Sequence, residues 1–379
     1  MKDHSLEVHG CHTYDATGAI SPSICLSATF RHPRFGESTG YDYGRVANPT
    51  RESLEKTVAL LERGGRSWAL SSGMAAVQLV FSLLSAGDHV LMSEDLYGGT
   101  VRLAEEVFAD YGITFEYVDV RDLALVGKRM RSETKLVFIE TPSNPMMQIS
   151  DIAALSALAH ENGALLAVDN TFLSPHFQKP LTLGADIVLH SGTKYLCGHN
   201  DVIAGFLVLK DATSAQAKRI ELLAKSAGPN LSALDSWLML RSIKTLGVRV
   251  ERQAENALAI AQWLGTLPEV TEVLYPGLAD HPGYALQQKQ ASGAGGMISF
   301  KVRSAELAKA ALGRLHLIAF AESLGGVETL LTYPIAQTHA EMPAALLKRT
   351  GLDDKLLRLS VGIEDVEDLK ADLQQALQG

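Results

Sequence analysis

Between Thr50 and Lys210, short apolar runs alternate with helical stretches, and this alternation narrows the choice of fold more than any other feature. The runs are "RSWAL", "HVLMS", "TFEYVDV", "KLVFIE", "ALLAVDN", "ADIVLH" and "GFLVLK". Strands that are apolar along their whole length need cover on both faces, which a mostly parallel sheet flanked by helices provides. The helices between them are also legible. "TRESLEKTVALLERGG" places Leu54, Val58 and Leu61 on one face and stops at Gly64-Gly65. "SSGMAAVQLVFSLLSAG" offers Ser72 as a cap, groups Met74, Val77, Phe81 and Leu84 on one face, and ends at Gly87.

After Lys210 the pattern changes. One long helical region, "LSALDSWLMLRSIKTLGVRVERQAENALAIAQWLGTL", leads to a second α+β region holding "GGMISFKV", "HLIAFAESLGG" and "LLRLSVGIEDVEDLKADLQQALQ". At 379 residues the chain exceeds one ordinary core, so two domains are expected. A net charge of −9 disfavours nucleic acid and anionic membranes as partners. No apolar run is long enough to span a bilayer, and the N-terminus lacks a signal-peptide pattern. Cys11, Cys25 and Cys197 show no metal-ligand spacing, so reduced thiols in a cytoplasmic protein are expected.

In such sheets ligands gather where the strands end. "WALSSGMAA" puts Ser72, Gly73 and Met74 at a helix N-terminus, where backbone amides attract phosphate. Tyr97 follows a strand beside two glycines, Asn144 follows "FIETPS", and Asp169 closes a wholly apolar run. Singly, these read equally well as a cap, a loop residue and a turn aspartate. Ser191 and Thr193 flank Lys194, one strand and one crossover beyond Asp169, so lysine and aspartate should emerge on the same sheet edge. An amine, an acid, a phosphate cradle and an aromatic plate together are what pyridoxal 5'-phosphate requires. The lysine condenses with the aldehyde, desolvation lowers its pKa, the aspartate keeps the pyridine nitrogen protonated, and Tyr97 stacks on the ring.

These residues sit in motifs that resemble the pyridoxal-phosphate enzymes of cysteine and methionine metabolism, which include cystathionine γ-synthase, γ-lyase and β-lyase and methionine γ-lyase. The likeness runs from "TGAISPSICLSATF" and "YDYGRVANPTR" through "SSGMAA", "DLYGGT", "ETPSNP", "VDNTF" and "HSGTKYLCGHND" to "AESLGGVETL", "QTH" and "LRLSVGIEDVEDL". It implies an α/β, aspartate-aminotransferase-like fold (fold type I) with a mostly parallel seven-stranded sheet and a smaller C-terminal α+β domain. The implied division is an arm (1–48) serving the neighbouring subunit's site, a cofactor domain (49–238) and a C-terminal domain (239–379). By the same resemblance Lys194 bonds the cofactor, Asp169 meets its ring nitrogen, and Gly73, Met74, Ser191 and Thr193 hold its phosphate. Tyr43 and Arg45 look like the pair that reaches a neighbour's phosphate, which implies at least a dimer and usually a homotetramer. Alternation in "RLSVGI" reads as a half-buried strand, on which Arg358 is a plain edge-strand arginine by pattern alone. The resemblance makes Arg358 the grip on the substrate carboxylate, with Asn144 and Ser323 orienting substrate and cofactor. Departures from the family's usual wording are Gly192 for alanine, Cys197 for glycine and Cys25 for tyrosine.

Three positions bear on the reaction. Gly99 stands where methionine γ-lyases usually carry cysteine, and Glu322 and Leu324 stand where β-lyases usually show Tyr and Trp. Glu322, with Arg102, is expected to meet the distal polar end of a cystathionine-sized amino acid; a solvated surface pair is the alternative. The wording of "GESTGYDYGRVANPTR" and "FAESLGGVETLLTYPIAQTH" resembles bacterial γ-synthases. The expectation is therefore γ-replacement on an O-acyl-homoserine by cysteine, with O-acetylhomoserine thiol-lyase activity beside it. The alternatives are γ-elimination of cystathionine and a homocysteine or methionine γ-lyase. A cofactor-binding regulator without turnover is disfavoured because Lys194, Asp169, Tyr97 and Arg358 are all present.

Overall fold

The computed structural model describes residues 1–11 and 17–378. All seven apolar runs form strands: β1 (Arg66–Leu70), β2 (His89–Ser93), β3 (Thr114–Val118), β4 (Thr134–Glu140), β5 (Leu165–Asp169), β6 (Ile187–Ser191) and β7 (Gly205–Leu209). They make one seven-stranded sheet in the order β1-β7-β6-β5-β4-β2-β3. Only β7 runs antiparallel to its neighbours β1 and β6; the other pairings are parallel. The period of two along each strand feeds two cores. Val137, Ile139, Leu166 and Val168 enter one, while Leu136, Phe138, Ala167 and Leu189 enter the other. Each fully buried side chain of this size contributes about 1.5–3 kcal/mol of transfer free energy.

Asn48 caps the Pro49–Leu61 helix by accepting the N–H groups of Thr50 and Arg51 at 3.0 and 3.2 Å. Ser72 caps the Gly73–Phe81 helix by accepting Ala75 N–H at 3.1 Å. That helix stops before the expected Gly87, because the N–H groups of Leu83 and Leu84 turn back to Val80 and Phe81. Gly87, at φ 93, instead forms a turn whose N–H bonds Gly112 O. The long helical region is two helices, Ala233–Ile243 and Leu246–Leu264, interrupted at Lys244-Thr245. The second packs on the C-terminal sheet and on the N-terminal Asp3–His9 helix.

The C-terminal sheet contains β8 (Val270–Leu274), β9 (Met297–Val302), β10 (Ala319–Phe320), β11 (Leu330–Thr332) and β12 (Leu356–Ser360), in the order β10-β11-β12-β9-β8. It corrects the half-buried reading of "RLSVGI". β12 is central, all five of its residues are buried, and Arg358 is 1% exposed. Its polar side chains face a polar interior rather than solvent: Ser360 Oγ accepts Gly325 N–H at 2.7 Å. Among the described residues no helix is long and apolar enough to cross a membrane.

Candidate active site

Parallel β4, β5 and β6 end together, so Glu140, Asp169 and Ser191 close three neighbouring strands at one sheet edge, with Glu140 directly opposite Asp169. β1 feeds the Ser72-capped helix start to the same edge, and antiparallel β7 begins there, with Gly205 opposite Ser191. Two glycines let these parts press together. A Cβ on Gly205 would sit 1.9 Å from Ser72 O, and one on Gly73 would sit 2.8 Å from Ser191 Cβ. The result is a cavity of about 340 Å³. Gly73, Met74, Tyr97, Asp169, Ser191, Thr193 and Lys194 line it, as do Asn144, Glu322, Ser323 and Arg358.

Lys194 Nζ donates to Ser323 Oγ at 2.7 Å. Burial, seconded by the Arg358 cation and opposed by Glu322, pulls the amine's pKa down to about 8. Ser323 holds φ 98, a region costly for any residue with a side chain, and such strain is found where a group must be aimed. Asp169 Oδ1 accepts the Thr171 N–H at 3.0 Å and the Thr171 hydroxyl at 2.5 Å; Thr171 Oγ1 in turn accepts Ser191 N–H at 2.9 Å. Burial raises the Asp169 pKa, against the two Thr171 bonds and His190. A buried carboxylate of this kind is stabilised by a cation such as a protonated ring nitrogen.

Arg358 donates from Nη1 to Asn144 Oδ1 at 2.7 Å and from Nη2 to Ser323 O and Thr332 Oγ1 at 3.3 and 3.4 Å. Its Nε–H is buried and has no acceptor among the described residues. Burial lowers its pKa to about 10, so it stays a cation at neutral pH. An orphaned donor on a buried cation is costly unless a ligand supplies the acceptor, for which a carboxylate has the right chemistry.

The sequence reading left three residues without a role. Glu140 lines the cavity and accepts Tyr97 N–H at 3.1 Å; burial first, then Asp169 and Asp95, raises its pKa well above the usual range. Its signal was the one used for Asp169, a polar residue closing an apolar run. Thr171 lies two residues past β5 and links Asp169 to Ser191. His339, in "QTH", is buried and held neutral, its pKa down to about 4 by burial and then Arg358. Its Nε2–H donates to Asn144 O at 3.0 Å, which steadies the residue that Arg358 grips.

Three expected residues lie elsewhere. Arg102 is exposed and pairs with Glu341 at 2.5 Å instead of lining the cavity. Tyr43 and Arg45 line a separate concavity with Gly228 and Asn230, where Arg45 donates to Lys225 O.

The residues present fit pyridoxal phosphate. The first N–H groups of the Gly73–Phe81 helix have no intrahelical acceptor and face an anion-binding position beside the Ser191 hydroxyl. Asp169 offers the acid and Lys194 the amine. Thr193 Oγ1 already accepts Ala204 N–H at 3.0 Å and donates to Ala204 O at 3.2 Å, so it also locks the lysine loop to β7.

The chain is 47% identical over 379 residues to cystathionine γ-lyase of Bacillus subtilis, covering all of both chains. It is 46% identical over 365 residues to cystathionine β-lyase of the same organism, covering 96% of this chain and 93% of that one. A solved structure of cystathionine γ-synthase from Xanthomonas oryzae pv. oryzae superposes with a TM-score of 0.96 at 41% identity, covering 100% of this chain and 98% of the other. This is the fold type I architecture, with its mostly parallel sheet and smaller C-terminal domain. Residues 4–378 match the family described as Cys/Met metabolism PLP-dependent enzymes, and with the lysine, the buried acid and the helix-start cradle meeting in one cavity, the chain belongs to that family and uses pyridoxal phosphate in a trans-sulfuration-type reaction.

Proposed function

We propose that the enzyme eliminates the γ-substituent of cystathionine and, with one water consumed, releases cysteine, 2-oxobutanoate and ammonia. This replaces the γ-replacement expected from the sequence. The observation that carries it is the end-to-end correspondence with a cystathionine γ-lyase at 47% identity. Glu322 at the cavity, beside the Lys194 and Arg358 cations, supports a substrate with a distal ammonium group. Against β-elimination stand Glu322 and Leu324 alone, since overall identity to a β-lyase is nearly as high.

Bound in the cavity, pyridoxal phosphate supplies an electron sink joined to the substrate's amino group. The chain's residues do the rest. Arg358 and Asn144 hold the α-carboxylate. Lys194, with its lowered pKa, accepts the α-proton, passes it on, and is then free to accept a β-proton, which can go to the departing cysteine sulfur; positioned transfers of this kind are worth about 10²–10⁴-fold each. Ser323 directs Nζ. Asp169, braced by Thr171, keeps the ring nitrogen protonated, and Tyr97 covers the ring. Gly73, Met74, Ser191 and Thr193 hold the phosphate. Among the described residues no cation other than Lys194 lies with the phosphate-side lining residues, which supports Tyr43 and Arg45 of the arm (1–48) serving a neighbouring copy. The proposed assembly is a homotetramer, and the proposed domains are 49–238 and 239–379.

Incubating the loaded enzyme with cystathionine and identifying the oxo acid tests the reading. 2-Oxobutanoate with cysteine is expected, and pyruvate with homocysteine would mean β-elimination. The second reading, γ-replacement, draws on the synthase-like motif wording and on the X. oryzae γ-synthase. It predicts rapid cystathionine formation from O-acetyl- or O-succinyl-homoserine with cysteine, and negligible cleavage.

A further inference from the structure

Away from the cavity, His4, His176 and Glu251 each bring a ligand atom within 4.8 Å of the others. They come from three parts of the chain: the Asp3–His9 helix, the short Ser174–Phe177 helix after β5, and the Leu246–Leu264 helix. We propose that they form a binding site for a divalent transition ion of the zinc type.

The two imidazoles converge on a single oxygen. His4 Nε2 and His176 Nε2 each lie 3.4 Å from Glu251 Oε1. That is long for an N–H···O hydrogen bond, which falls at about 2.7–3.2 Å. It is the edge of a tetrahedron whose metal–ligand bonds are about 2.0–2.1 Å, roughly 3.3–3.4 Å. Behind the histidines lies a carboxylate that orients them. Glu7 is buried, its Oε1 lies 2.7 Å from His176 Nδ1, and its Oε2 accepts Gly247 N–H at 3.1 Å. The Glu7 carboxylate against Nδ1 fixes the His176 ring with Nε2 on the Glu251 side of the cluster. A carboxylate behind a ligating histidine is the usual support for a bound metal ion.

Backbone shape agrees. A Cβ on Gly247 would enter the cluster, 2.6 Å from Glu7 Oε2 and 2.9 Å from His4 Nδ1, so only glycine leaves the space open. The nearby Lys179 amine is committed to Asp3 at 2.9 Å and Pro175 O at 2.6 Å. Two imidazoles and one carboxylate suit zinc, nickel or copper rather than calcium or magnesium, which need more oxygen ligands. His4 and Glu251 have side chains 63% and 46% exposed, which admits the ion and leaves a fourth position to water. Such an ion would fasten the N-terminal helix to the segment that follows Asp169.

The test uses untagged, cofactor-loaded enzyme, stripped with a chelator and dialysed against zinc chloride or magnesium chloride. One zinc per chain by elemental analysis, and no magnesium, is expected, with a zinc-dependent rise in Tm. His4→Ala and Glu251→Ala change exposed positions and should leave the fold intact while weakening zinc binding at least tenfold and abolishing the Tm rise. Glu7→Gln should weaken it by about 10–100-fold. No zinc retained by the wild-type enzyme, or equal retention by His4→Ala and Glu251→Ala, would overturn the assignment and leave an ion-pair cluster only.

Discussion

Replacing Arg358 by lysine removes the fork and keeps the charge. In the structure Nη1 and Nη2 are engaged by Asn144, Ser323 and Thr332, while Nε–H is buried without an acceptor. The account gives that donor to the substrate carboxylate. A hydrogen bond between charged groups contributes about 1.5–3 kcal/mol. At about 1.4 kcal/mol per decade its loss means a roughly 10- to 150-fold rise in KM for cystathionine. Because the carboxylate is held equally before and during proton transfer, kcat should fall much less. Steady-state kinetics on Arg358→Lys, with Tm confirming the fold, gives both numbers. A KM within twofold of wild type would refute the reasoning, since the orphaned Nε–H would then serve no substrate.

Lys194 has an amine pKa of about 8, against 10.5 for an ordinary lysine, and only the unprotonated amine attacks an aldehyde. Below pH 8 the amine is protonated and slow, so the rate at which cofactor-free enzyme captures pyridoxal phosphate should rise through about pH 8 and level off above it; a rise continuing to pH 10 would contradict the burial argument. If Tyr43 and Arg45 serve a neighbouring copy, Arg45→Ala and Lys194→Ala are each inactive alone, and subunit exchange between them restores activity; mixtures that stay inactive would disprove the shared site. Gly205→Ala drives a Cβ to 1.9 Å from Ser72 O, a backbone atom that cannot swing aside. Overpacking of this sort costs about 1–3 kcal/mol, so a lower Tm and reduced cofactor retention are expected, and an unchanged Tm would show that the helix start is not pinned to β7.

Much of this was legible because burial writes itself into short apolar runs. Each of β1 to β7 was announced by one, and Asp169 and Lys194 stood out as polar residues where such runs end. The same rule applied to β4 would have found Glu140, the acidic residue that closes the apolar run "KLVFIE". β12 misled for a physical reason: alternation of Arg358 and Ser360 with leucines signals a polar face, and sequence cannot say whether that face meets water or an enclosed polar cavity. The break at Lys244-Thr245 lies inside an unbroken helical pattern. The Arg102–Glu341 pair joins residues 239 positions apart, beyond any local signal. The choice among γ-elimination, β-elimination and γ-replacement was not legible in the motifs, because proteins named for each of these reactions are 47%, 46% and 41% identical to this chain.

The central claim is that one buried amine, Lys194, carries the cofactor. Borohydride reduction of the loaded enzyme, followed by peptide mass spectrometry, tests it directly. The account predicts a single pyridoxyl adduct on Lys194 and loss of visible absorption. An adduct on another lysine, or a loaded protein with no reducible adduct, would contradict it.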